Sequence, residues 1–81
     1  MDEVADRLVR CFSSVFPDLS TEQICEASVD SLPAWDSLAA VTLVAVIQEE
    51  FGLQIDLTDL PALTSFAAVR NYVRERMVTS S

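Results

Sequence analysis

Trp35-Asp36-Ser37-Leu38-Ala39-Ala40-Val41-Thr42-Leu43-Val44-Ala45-Val46-Ile47-Gln48-Glu49-Glu50-Phe51-Gly52 is the stretch on which the fold turns. Its middle, Val41 to Ile47, is β-branched enough to read as a buried strand. Three features decide for a helix: Asp36 can cap the start, Gln48-Glu49-Glu50 continues the segment in polar residues, and Gly52 stands where a helix ends in left-handed backbone. At about fifteen residues the segment is also too long for an ordinary strand. A helix apolar around most of its circumference belongs at the centre of a fold. Ser37, in its first turn, falls where backbone N–H groups lack intrahelical acceptors and the macrodipole favours negative charge, a place suited to a phosphate.

Toward the N-terminus, Val4, Leu8, Cys11, Phe12, Val15 and Phe16 recur at intervals of three and four, with Arg7 and Arg10 on the other side. The spacing predicts a helix over 3–16, with Asp2 as its cap and Pro17 as its stop. Residues 17–36 form a long connection. Ser20-Thr21-Glu22-Gln23-Ile24-Cys25 offers a cap and a short helical turn within it, and Leu19, Ile24, Val29, Leu32 and Trp35 can pin it to the core. Beyond Gly52, Leu53 and Ile55 read as extended and inward-pointing. Asp56 or Thr58 opens a short helical turn through Leu60, limited by Pro61. Thr64 or Ser65 caps a last helix in which Phe66, Val69, Tyr72, Val73 and Met77 keep helical spacing, with Arg70, Arg74 and Arg76 toward its C-terminal end. The expectation is an all-α four-helix bundle, three longer helices and one short one, with a long loop between helices one and two. It occupies residues 1–78 as a single domain, with 79–81 as a disordered tail.

Composition narrows the function. The 81 residues are 51% hydrophobic with a single glycine, which favours helices over a turn-rich sheet. The formal charge of −8 repels phosphate backbones and argues against nucleic acid, while it suits docking onto basic patches of other proteins or simple solubility. Cys11 and Cys25 are too few for a zinc site, no histidine completes one, and a disulfide between them is open. They read as buried or half-buried thiols in a reducing cytosol. The acidic start Met1-Asp2-Glu3 does not read as a signal peptide, and the longest apolar run, broken at Thr42, is too short to insert in a membrane.

Taken together, Leu32, Asp36-Ser37-Leu38, Val41, Leu43-Val44, Glu49-Glu50-Phe51-Gly52, Ile55, Leu63-Thr64-Ser65 and Tyr72 resemble the acyl carrier and peptidyl carrier protein family across nearly the whole chain. The resemblance implies that Ser37 accepts 4′-phosphopantetheine from coenzyme A through a separate phosphopantetheinyl transferase. The arm's thiol would then hold an acyl or aminoacyl group as a thioester for a loading enzyme and for downstream synthases or transferases. Asp36 would cap the helix and help the transferase place its metal and the serine. Leu38 would contact the transferase or anchor the first turn. Trp35, Ala39, Thr42, Val44 and Asp59 are expected on the face that partners meet. A cytoplasmic monomer without catalytic activity of its own is the family's default.

The chain also departs from the family. Fatty-acid-type carriers tend to be acidic just after the serine, where Ala39, Ala40 and Thr42 stand here. The Trp35-Asp36-Ser37-Leu38 form looks like stand-alone carriers of specialised pathways, such as secondary metabolite or polysaccharide modification. Val44, Ile47, Phe51, Ile55, Leu60, Leu63 and Phe66 read as filled core rather than as the lining of an acyl-chain tunnel. An enzyme with Ser37 as nucleophile lacks a histidine, a lysine and a Gly-x-Ser-x-Gly elbow. The alternative that stands is a small acidic helical interaction module without a prosthetic group.

Overall fold

A computed structural model describes residues 3–79, so the Asp2 cap and Ser80-Ser81 of the expected tail lie outside the described residues. The protein is all-α. Among the described residues there are five helical segments: α1 (Glu3–Val15), α2 (Thr21–Cys25), α3 (Ser37–Phe51), a 3-10 helix (Leu57–Ala62) and α4 (Phe66–Thr79).

Local chemistry sets most of the boundaries. Ser20 and Gln23 form a reciprocal capping box on α2, each side chain accepting the other's backbone N–H. The expected long loop therefore contains a fifth helical segment. Asp36 caps α3 by accepting the Ala39 N–H at 2.9 Å, and Gly52 closes it at φ 63°, a left-handed conformation that costs a residue with a Cβ about 1–2 kcal/mol. Asp56 caps the 3-10 helix on the Thr58 N–H, and Ser65 accepts the Ala68 N–H at the start of α4. The 3-10 helix runs through Pro61 instead of stopping at Leu60. Hydrogen bonds from Asp59 N–H to the Asp56 carbonyl and from Leu63 N–H to the Leu60 carbonyl close turns on either side of the missing donor.

The centre of the fold differs from the expectation. The hub is α1, which packs against α2, α3 and α4 through Ala5, Leu8, Cys11 and Phe12. Of α3 only the stripe Leu43, Val44 and Ile47 is buried. Much of its remaining apolar surface faces solvent, most fully at Leu38 (77% exposed) and Val41 (46%). Arg7, expected on the outer side of α1, is half-buried and holds the far end of α3. Its Nε lies 2.8 Å from a Glu50 carboxylate oxygen, a second nitrogen donates to the Glu50 carbonyl, and its guanidinium lies 4.4 Å from the Phe51 ring centre. A cation at a helix C-terminus also suits the dipole.

The connection from α2 to α3 is fixed to the start of α4 by backbone. Val29 N–H donates to the Thr64 carbonyl at 2.9 Å, Phe66 N–H to the Ala27 carbonyl at 3.0 Å, and Ser28 and Ser65 form an isolated antiparallel bridge. Ile24 and Trp35 are buried as expected, whereas Val29 pins through its N–H while its side chain is 37% exposed.

Cys11 and Cys25 form no disulfide. Burial first, and the Glu50 carboxylate second, push the Cys11 thiol up to about 11 from its ordinary 9.0. A raised folded-state value makes this contribution to stability complete below the unfolded thiol's pKa and progressively lost as pH rises toward the folded one. Urea unfolding is therefore expected to show stability falling between pH 9 and about 11, and less steeply in Cys11→Ala. An unchanged slope in the variant would remove Cys11 as its cause. Tyr72, raised by burial and then by its bond to Asp59, adds a slope of the same sign in both proteins.

Candidate functional site

The first turn of α3 is built by Asp36. One of its carboxylate oxygens takes the Ala39 N–H and its carbonyl takes the Ala40 N–H, which leaves the N–H groups of Ser37 and Leu38 without an acceptor among the described residues. Ser37 is the first residue of the helix and is exposed; among the described residues no hydrogen bond holds its hydroxyl. From Ser37 to Ile47 the helix carries no charged side chain.

Ser37 and Asp36 stand on the rim of an open groove of about 490 Å³. Val41 and Ala40 form its α3 wall, Leu60 and Pro61 of the 3-10 helix face them, and Val29, Trp35 and Leu63 complete it. The polar contribution is small, as in sites that accept mostly apolar ligands. Across the groove the 3-10 helix is held to α4 by Asp59, which accepts from the Tyr72 hydroxyl at 2.7 Å and from an Arg76 nitrogen at 3.1 Å. Arg76 also lies 4.6 Å from the Tyr72 ring centre.

These placements sort the residues singled out from the sequence. Asp36, Ser37 and Leu38 are all exposed at one helix end. Leu38 does not anchor the first turn, because it projects into solvent. Trp35 (4% exposed) and Val44 (5%), expected on the face that partners meet, are buried and present almost no area to a partner. Trp35 packs edge-on against Phe12, with ring centres 5.4 Å apart. Ala39 is half-buried. Thr42 is exposed, its hydroxyl turned back to the Leu38 carbonyl at 3.0 Å. Asp59 is engaged in holding the 3-10 helix. Val29, Val41 and Pro61 line the groove, a place the sequence reading did not give them; the local signal for it was the unused apolar surplus of α3. No group of metal-ligating side chains occurs among the described residues. No helix among them is long and apolar enough to cross a membrane.

Ser37 is thus an exposed serine on a capped helix end, beside an apolar groove. Residues 6–73 match the family described as the phosphopantetheine attachment site, and the chain belongs to that family. Its members carry covalently attached 4′-phosphopantetheine, and the domain is a carrier rather than a catalyst. No match is found for the chain among curated proteins or among solved structures.

Proposed function

We propose that Ser37 is the attachment residue and that the chain presents an acyl or aminoacyl thioester to the enzymes of a specialised biosynthetic pathway. The observation that carries this is the state of Ser37: exposed, first in α3, next to the Asp36 cap and on the rim of the groove. The other described serines are occupied or recessed. Ser20 and Ser65 cap helices, Ser28 and Ser31 bond each other, Ser14 bonds the Arg10 carbonyl, and Ser13 is half-buried within α1.

The residues present fit the group. The Ser37 hydroxyl is free to attack a phosphorus of the coenzyme A pyrophosphate, forming the serine–phosphate bond. The bond between the two phosphorus centres breaks at its bridging oxygen, adenosine 3′,5′-bisphosphate departs, and the serine proton passes to a base of the transferase. Asp36 keeps α3 from fraying at the point of attachment. The Ser37 and Leu38 N–H groups and the helix dipole favour the resulting phosphodiester, which remains in water because Ser37 is exposed. When bound, the group supplies a terminal thiol that holds cargo as a thioester. Val41, Leu60 and Pro61 offer apolar surface beside the attachment point, and tethering supplies effective concentration at each partner without tight docking.

An uncharged partner face at Ala39, Ala40 and Thr42 supports the specialised-pathway reading over primary fatty-acid synthesis, in a cytosolic monomer. Leu38 supports the approach of the transferase. Leu38→Ala is expected to lower kcat/KM for loading by roughly ten- to a hundredfold, since covering the side chain is worth about 1.5–3 kcal/mol. Its melting temperature should barely move, as the side chain already faces solvent. Unchanged loading kinetics would remove Leu38 from the contact. The reading as a whole is tested by intact mass after incubation with coenzyme A, magnesium and a broad-specificity transferase. One added phosphopantetheine is expected. No gain in a folded sample, beside a carrier that does load, would favour an interaction module.

A further inference from the structure

Trp35 carries a polar atom that the fold does not use. The side chain is 4% exposed, yet its indole Nε1 is buried with no hydrogen-bond partner among the described residues. Buried donors are nearly always paired, so an orphan one calls for an account. Trp35 lines the groove at Ser37 and also a small adjoining void of about 10 Å³. Groove and void share the walls Trp35, Ala40, Leu60 and Leu63. A void of that size is at the lower limit for one water, and the residues around it are otherwise apolar, so a water there lacks the further partners it needs.

We infer that the Trp35 indole N–H is a hydrogen-bond donor for a neutral carbonyl oxygen brought into the groove from Ser37, on the pantetheine arm or on its cargo. The inference rests on the reading of Ser37 as the attachment residue. The acceptor is neutral because no cation lines the groove or the void, and a carboxylate or phosphate buried there would be uncompensated. The acceptor comes from the tethered group because Ser37 lies on the rim of the same groove, two residues from Trp35. Contact requires the side chains that cover Nε1 to shift, since the atom is buried although its residue lines the groove. The site so defined selects uncharged chains and rewards an oxygen placed along them.

The test uses the full chain labelled with nitrogen-15, whose one tryptophan gives a single indole signal. Four forms are compared: unloaded, with the arm alone, with a stable butyryl-amide analogue, and with the matching 3-oxobutyryl analogue. Intact mass confirms loading in each. A downfield move of the indole proton, with cross-relaxation to protons of the arm, already in the arm-alone form assigns the acceptor to the arm's amides. The same change appearing only with the 3-oxo analogue assigns it to the cargo, and either result supports the inference. An indole signal unmoved in all three loaded forms would overturn it while leaving attachment at Ser37 standing. Failure to load would overturn both.

Discussion

Ser37→Ala will abolish the mass gain on incubation with coenzyme A and transferase while leaving the fold in place. The two effects separate because the side chain and the backbone of residue 37 do different things. The hydroxyl is exposed and bonded to no described residue, so removing it strands no partner. The helix start is held instead by Asp36, whose bonds to the Ala39 and Ala40 N–H groups survive the change. Alanine is also a better helix former than serine, which offsets any small loss at the first turn. The stability change should stay within about 0.5 kcal/mol, as for other surface substitutions. On a domain of this size that is a shift of roughly 2–4 °C in melting temperature. Loading is all-or-none by contrast, since the phosphodiester has no other oxygen at that position to form on. Residual mass gain in the variant would move the attachment to another hydroxyl. A large fall in melting temperature would give Ser37 a structural role and revive the interaction-module reading.

The ends of the helices were legible in the sequence, whereas the surface between them was not, for a physical reason. Caps are local: Asp36 reaches the N–H of Ala39, Ser20 that of Gln23, and Gly52 supplies its own φ of 63°. Residues within a few positions of one another carry that information. The groove is assembled from Val29, Val41 and residues 60–64, brought together when the Val29 and Phe66 N–H groups pair with Thr64 and Ala27. No periodicity reports a backbone pairing across that distance. The centrality expected of α3 failed for a related reason. Hydropathy counts apolar residues without distinguishing those that face the core from those that face solvent, and Leu38 and Val41 belong to the second kind. α1, less apolar overall but with its apolar residues on one stripe, is the helix the others share. The sequence places Trp35 among the residues that pin the long connection to the core. Its burial agrees, but an indole N–H left without an acceptor has no sequence signature at all.

Phe12→Ala is the substitution expected to cost the fold most, and its consequence reaches the site. Phe12 is fully buried on the hub helix, with ring centres 5.1 Å from Phe66, 5.4 Å from Trp35 and 6.4 Å from Phe16. It thus joins α1 to the start of α4 and to the residue before the α3 cap. Truncating a buried Phe to Ala costs about 3–5 kcal/mol through lost transfer energy and the cavity left behind. At roughly 0.05–0.15 kcal/mol per residue, a chain of this length is stable by only about 4–12 kcal/mol. The melting temperature should therefore fall by about 15–30 °C, and a weakly stable preparation would be largely unfolded at 37 °C. Loading should track the folded fraction rather than vanish, because Asp36, Ser37 and Leu38 are exposed and their helix end is held by the local Asp36 cap. Melting followed by circular dichroism, with intact mass after loading at a low and a high temperature, separates the two effects. Full loading at the low temperature with loss at the high one is the expected pattern. No loading at either temperature in a folded sample would mean that the packing of Trp35 on Phe12 sets the geometry of the attachment point itself. A melting temperature within a few degrees of wild type would contradict the place given to Phe12 at the junction of α1, α4 and the groove floor.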